Sequence, residues 1–374
     1  MTAEAAAETP EKTPLEERLI GLIKANGPIT VADFMADALG HPHEGYYMTG
    51  APIGADGDFT TAPEVSQIFG ELIGLWLVQS WIDMGEPPQV NLIELGPGRG
   101  VLMADILRAA RVRPGFLKAA DLWLVETSGR LRHEQQRRLR AVGAKPLWAD
   151  EFTDAPEGPS LIVANEMFDC LPIRQFERLK AGWRERLVGV APDGASLAFT
   201  HAKTPPLPDI ALPPAEETPE GAIFEICSPA EALAGDIAKA LVEHGGRALI
   251  IDYGHLSSGL GDTLQAVRRH KFWPVLASPG KADITAHVNF EALARAAIEA
   301  GAAAWGALPQ GVFLQRLGLQ ARLEKLCEGK SEIEAGTLRA GARRIADAEQ
   351  MGEVFKAICI SAPNLPPPAG FESV

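Results

Sequence analysis

The residue types that could do chemistry are concentrated in one run of this sequence, NLIELGPGRGVLMADIL over residues 91–107. An apolar strand ends in Glu94, the chain turns through Gly96, Gly98 and Gly100, and a helix-periodic segment begins at Val101. Glycines in such a turn adopt positive φ and let the backbone pass close to a ligand. The helix start beyond them offers unpaired N–H donors. In an open α/β sheet this crevice is where nucleotides bind. Glu126 closes the next apolar run, 32 residues after Glu94, where a carboxylate can accept both hydroxyls of a ribose.

Two cofactor classes suit that geometry, NAD-type dinucleotides and S-adenosylmethionine. The dinucleotide fingerprint is GxGxxG, whereas this loop runs GxGxG into Val101. A pyrophosphate wants a clear run of N–H groups, while the acid at Glu94 suits the cationic aminoacyl end of S-adenosylmethionine. The balance favours the methyl donor. Asp150, after the apolar step PLW, could bond the adenine amine, with Trp148 beside it as either a ligand neighbour or a core aromatic.

A second candidate segment is GDFTTAPEVSQIFGE, residues 57–71. Thr60 and Glu64 read as cofactor or substrate contacts, and Asp58 is hard to place otherwise. The competing reading of Glu64 is an acid at a helix start, where the dipole favours it. Pro63 suits the first helical turn, and Glu64 and Glu71 would then lie two turns apart, about 10 Å, on the polar side of one helix. Asp252 ends a sheet strand and is a site residue or a cap. His287 positions substrate, relays a proton, or is structural. Tyr46 and Tyr47 wall a channel or pack the core. The Arg130–Arg140 run reads as a solvated helix face.

The elements that must position these residues follow a clear rhythm. Helical periodicity covers residues 15–39, and an irregular segment rich in Gly, Pro, Asp and Thr covers 41–63. An amphipathic helix follows, with Val65, Ile68, Phe69, Leu72, Ile73 and Trp76 as its stripe. Short apolar runs at 90–95, 121–126, 159–165 and 247–253 then alternate with helices. That pattern predicts a parallel sheet covered on both faces. RQFERLK, WRERLVGV and SLAFTHA interrupt it as an antiparallel meander. A Pro-rich connector, 205–219, leads back, and a basic helix over 338–345 precedes an apolar strand at 355–361. The expected organisation is an N-terminal tail, helical cap and loop over 1–85, then a core over 86–374 with an insertion at about 173–222.

Composition narrows the rest. The 374 residues are 46% hydrophobic and 22% charged, which excludes a mainly disordered chain. Asp and Glu number 49 against 35 Lys and Arg, a net charge of −14 that disfavours nucleic acid and favours a basic partner. The four cysteines form no CxxC pair, so neither a metal site nor a disulfide framework is expected. The most apolar long run, Val65 to Ile82, is broken by Gln67, Glu71 and Gln79, so no membrane insertion is expected. The acidic start, with no arginine before Arg18, predicts a soluble cytoplasmic protein.

With ELGPGRG, VETSGRL, NEMFDCLP, GYYMTGAPIGADGDFTTAPEVSQIFGELIG and DITAHVNF present in order, the chain resembles the MidA-type methyltransferase family over about residues 15–361. That family includes the mitochondrial complex I assembly methyltransferase, which modifies an arginine on a complex I subunit. The resemblance implies an α/β class I methyltransferase (Rossmann-like) fold with a seven-stranded sheet, an N-terminal helical cap and an inserted antiparallel β segment. It implies S-adenosylmethionine as cofactor, symmetric dimethylation of a protein arginine, and a complex I subunit as the possible protein substrate. The location would be the mitochondrial matrix if the source is eukaryotic.

Carried across by position, Gly96, Gly98 and Gly100 would cradle the cofactor, Glu126 hold its ribose and Asp150 its adenine. NEMFD follows the fourth strand, where arginine methyltransferases place a substrate glutamate, so Glu166 and then Asp169 are the acceptor candidates, with His287 third. No second glutamate of a double-Glu loop is recognisable. The rival expectations are a small-molecule methyltransferase and a nonenzymatic assembly factor on a methyltransferase scaffold. A nicotinamide oxidoreductase is more distant.

Overall fold

A computed structural model describes residues 10–49, 60–208 and 210–371. At its centre is a mixed sheet whose strands lie in the order 303–309, 355–361, 246–255, 160–165, 90–95, 120–125 and 147–149. The two-residue strand Val288–Asn289 pairs with the end of 246–255 and makes an eighth. From 246–255 to 147–149 every pairing is parallel, and 355–361 runs antiparallel to both of its neighbours. The central runs Val90–Leu95 and Ser160–Asn165 are buried at every position, which is why they carry no polar alternation. Chain order reverses between these two strands: 90–95 continues to 120–125 on one side, while 160–165 lies on the other. The glycine loop and the NEMFD loop thus leave adjacent strands at the switch point where α/β sheets open a crevice.

One face of the sheet packs on the helix Gln67–Asp83 and the helix Val101–Ala109. Their close approach depends on Gly70 and Gly74, one turn apart: a Cβ on either would come within 2.6–2.8 Å of Asp105 or the Ile106 carbonyl. The other face is covered by Ser228–His244 and Phe290–Glu299. A third apolar cluster joins the cap helices Pro14–Asn26 and Val31–Gly40 to the antiparallel insertion, through Leu19, Phe34, Met35, Ile173 and Val188. The apolar cores therefore do not follow the 85/86 division, because Gln67–Asp83 packs with the sheet rather than with the cap.

Three local expectations need correction. The insertion is larger than a three-stranded meander: 174–179 also pairs with Ile223–Ile226, and 182–190 with Ile29–Thr30. A second small sheet, 271–273, 265–268 and 283–285, was not anticipated. The helix read as continuous through Val65 breaks at Ser66, whose extended backbone (φ −153°, ψ 123°) and side chain cap the helix beginning at Gln67. Glu64 belongs to a separate turn, Ala62–Val65. Glu71 is buried, 5% exposed, and ion-paired to Arg322 at 2.8 Å, so the two acids do not share a polar face.

Candidate active site

Above the switch point lies a cavity of about 370 Å³. Seven of the expected site residues line it: Glu64, Glu94, Gly96, Gly98, Glu126, Asp150 and Glu166. Gly96, Gly98 and Gly100 all have left-handed backbones, with φ of 62°, 50° and 74°. Gly96 has a second reason to lack a side chain, since a Cβ there would stand 2.6 Å from Met167 Cγ. Gly100 is the helix N-cap rather than a wall of the cavity.

Glu94 is 3% exposed and its Oε2 has no hydrogen-bond partner among the described residues. Burial alone pushes its carboxyl from 4.5 up to about 8. A buried carboxylate without a partner is costly, and a cationic ligand group is what would relieve it. Glu126 is held differently. Its Oε1 accepts the Ser128 N–H at 2.8 Å and its Oε2 accepts Gln135 Nε2 at 3.1 Å, with burial still raising the carboxyl. Gln135 also donates to the Gly98 carbonyl and accepts Trp148 Nε1–H, both at 2.8 Å. One side chain thus ties the glycine loop, the ribose-side acid and the indole together. The sequence carried a signal for it: Leu131, Gln135 and Leu139 are the buried stripe of that helix, and an amide interrupts the apolar series.

Asp150 stands at the cavity mouth, largely exposed and paired to Arg132 at 2.6 Å. Arg132 also donates to the carbonyls of Glu126 and Ala149, and Arg138 to that of Arg99, so the arginine helix is not simply a solvated face. Glu64 pairs with Arg99 at 3.5 Å, which in turn pairs with Glu134 at 2.8 Å.

A second cavity, about 400 Å³, shares Tyr47 and Glu166 with the first. Thr60, expected beside the cofactor, lines this one instead, and Thr61 takes its place in the first. Asp169 and His287 line it too. Glu166 has φ +53°, uncommon for a residue with a side chain. Its Oε1 accepts the Ala62 N–H at 2.9 Å and the Asn165 amide at 3.0 Å, and burial raises the carboxyl to about 7. The Asp169 carboxyl, raised by burial to about 6, accepts a hydrogen bond from Tyr253. His287 is half-buried with its ring edge-on to Tyr253 at 5.6 Å, and burial lowers its pKa, favouring the neutral ring.

Asp252 is the clasp of this region. Its Oδ2 accepts the N–H groups of Met167, Phe168 and Asp169 at 3.1, 2.9 and 3.2 Å, which settles it as a cap on the NEMFD loop. Tyr46 is core, whereas Tyr47 walls both cavities. Asp58 lies outside the described residues. Among those described, no His, Cys, Asp and Glu group is spaced to hold a metal ion, and no helix is long and apolar enough to cross a membrane.

Known proteins resemble the chain over most of its length. The profile of a family of S-adenosyl-L-methionine-dependent methyltransferases matches residues 72–308. The chain is 34% identical to protein arginine methyltransferase NDUFAF7, mitochondrial, of Xenopus laevis, over 98% of this chain and 92% of that one. It is 36% identical to the protein of that name from Homo sapiens, over 93% and 83%. A crystal structure from Burkholderia thailandensis with S-adenosyl-homocysteine bound superposes with a TM-score of 0.81 at 26% identity, covering 98% of this chain and 97% of that one.

Proposed function

The chain belongs to the family of S-adenosyl-L-methionine-dependent methyltransferases, and from that premise we propose that it methylates an arginine side chain of a protein, with a respiratory complex I subunit as the candidate substrate and symmetric dimethylation as the outcome. It would work in the cytoplasm, or in the mitochondrial matrix of a eukaryotic source. The observation that carries the reading is the meeting of two acid-lined cavities at Glu166.

Bound S-adenosylmethionine supplies an electrophilic methyl carbon on sulfur. In this reading Glu94 would receive its cationic amine, the Gly98 backbone N–H would serve its carboxylate end, Pro97 having none to offer, and Glu126 would take its ribose hydroxyls. Asp150 stands at the adenine edge. Glu166 and Asp169 hold the acceptor guanidinium, which stays protonated near neutral pH and presents a planar fork to carboxylates. Fixing that plane would limit the guanidinium to one orientation, which is what an in-line transfer requires. The nitrogen that gains a methyl must shed a proton, and the Glu166 carboxylate, which titrates near neutrality, is placed to receive it. Neutral His287 stands on the same cavity wall as a route onward.

The test is transfer of labelled methyl to purified complex I subunits, with the product read by mass spectrometry. Glu166→Gln should lower the rate at least 100-fold while S-adenosyl-homocysteine binds within twofold of wild type. Labelled arginine at the wild-type rate in that variant would remove Glu166 from the acceptor site. Label on a small guanidino compound but on no subunit would favour the small-molecule alternative.

A further inference from the structure

The acceptor cavity has a wall that the assignments above leave unused. Strands 265–268 and 283–285 pair antiparallel, with Val267 opposite Asp283 and Gln265 opposite Thr285. Side chains two apart on a strand share a face, and these four residues all line the second cavity. Asp283 is the one charged member of the four and is only 6% exposed. Burying a carboxylate in a wall of this kind is unfavourable unless something meets it. The Tyr47 hydroxyl donates to Asp283 Oδ1 at 2.8 Å. Across the cavity the arrangement recurs, with Tyr253 donating to Asp169 and accepting from Thr285. Two buried carboxylates, Asp169 and Asp283, and the partly buried Glu166 therefore line one space of about 400 Å³. Among the described residues lining it, the one lysine or arginine is Arg344, which is exposed.

We infer that Asp283, oriented by Tyr47, joins Glu166 and Asp169 as the acceptor-site carboxylate supplied by a second element, and that it selects a planar cation over a neutral side chain of the same shape. This rests on the arginine reading proposed above. Glu166 and Asp169 come from one loop, and acids on one side can grip a guanidinium edge and leave it free to pivot. An acid delivered from a different element, the strand 283–285, would remove the pivot. Tyr47 walls both cavities and so acts as a positioning residue, holding the Asp283 carboxylate in the wall of the second.

The experiment uses the full chain loaded with S-adenosyl-homocysteine and two probes, Nα-acetyl-arginine methylamide and its neutral isostere Nα-acetyl-citrulline methylamide, with binding read by calorimetry. The wild type should prefer the arginine probe. Asp283→Asn should weaken arginine binding about 10- to 100-fold, the loss expected for a charge-assisted partner, and leave citrulline binding unchanged. Tyr47→Phe should lose about three- to tenfold of the preference, with S-adenosyl-homocysteine affinity within twofold of wild type in both variants. If Glu166→Gln loses the preference but Asp283→Asn keeps it, the inference falls and the arginine reading stands. If the wild type shows no preference, the arginine reading falls and takes the inference with it. Should Asp283→Asn fail to bind S-adenosyl-homocysteine, Tyr47→Phe decides, and an unchanged preference there overturns the inference.

Discussion

Replacing Glu94 by Gln separates what that carboxylate costs the fold from what it does for the ligand. The acid is 3% exposed, has one oxygen without a hydrogen-bond partner among the described residues, and titrates at about 8 instead of 4.5 because of burial. An acid whose folded pKa exceeds its unfolded value loses its proton more readily from the unfolded chain. Stability therefore declines as pH climbs from the unfolded value to the folded one. With 4.5 and about 8 as the limits, the cost comes to about 1.4 kcal/mol at pH 5.5 and about 3.3 kcal/mol at pH 7. Glutamine keeps the shape and removes the titration. The ligand-free variant should thus be more stable than wild type by a margin that widens by about 2 kcal/mol between those two pH values. Urea denaturation at both pH values measures the margins, and their difference cancels any constant packing effect. Ligand binding should show the opposite preference. Wild-type affinity for S-adenosylmethionine should rise from pH 6 to 7.5, by up to about tenfold per pH unit, while the variant stays nearly flat. A margin that does not widen, or a variant that keeps the wild-type slope, would refute a proton-holding carboxylate facing the ligand.

Two further substitutions probe the loop and its support. Gln135→Leu completes the apolar stripe of its helix but frees Glu126, the Gly98 carbonyl and Trp148 from their shared partner. Thermal stability should fall by about 1–3 kcal/mol, from the buried partners left unpaired, while S-adenosyl-homocysteine affinity falls roughly tenfold; unchanged affinity would make Gln135 a structural residue only. Gly96→Ala meets both a left-handed φ of 62° and a 2.6 Å contact with Met167. Calorimetry should show cofactor affinity down more than about tenfold, since the strain alone costs about 1–2 kcal/mol. Adding Met167→Ala should restore part of it, and no rescue would mean that the backbone, not the contact, sets the loss.

What could be read from the sequence was what depends on near neighbours in the chain. Val90–Leu95 and Ser160–Asn165 are each apolar at four of six positions, with no alternation, because both faces of the sheet are covered, and that covering shows in the letters themselves. The turn through Gly96, Gly98 and Gly100 needs positive φ, which glycine advertises. Features set by distant partners were hidden. Glu71 looks like a surface acid until Arg322, 251 residues away, comes to meet it. The strand 283–285 lies inside the DITAHVNF motif, yet its pairing with 265–268 gives no local sign, so the sequence does not show that Asp283 lines the same cavity as Glu166. Ser66 ends one helix and caps the next while the apolar spacing runs straight through it. Thr60 and Thr61 are adjacent, and only the fold decides which cavity each one lines.

The contact between Gly96 and Met167 also bears on how such a chain can change over generations. One residue belongs to the glycine loop and the other to the loop that carries Glu166, yet Met167 occupies the room that a methyl group on residue 96 would need. A lineage drifting toward a different acceptor is therefore not free to rework its second loop alone. Bulk can be shed at 167 at once, but it can be added at 96 only afterwards, so the history of one ligand's grip limits the choice of the other.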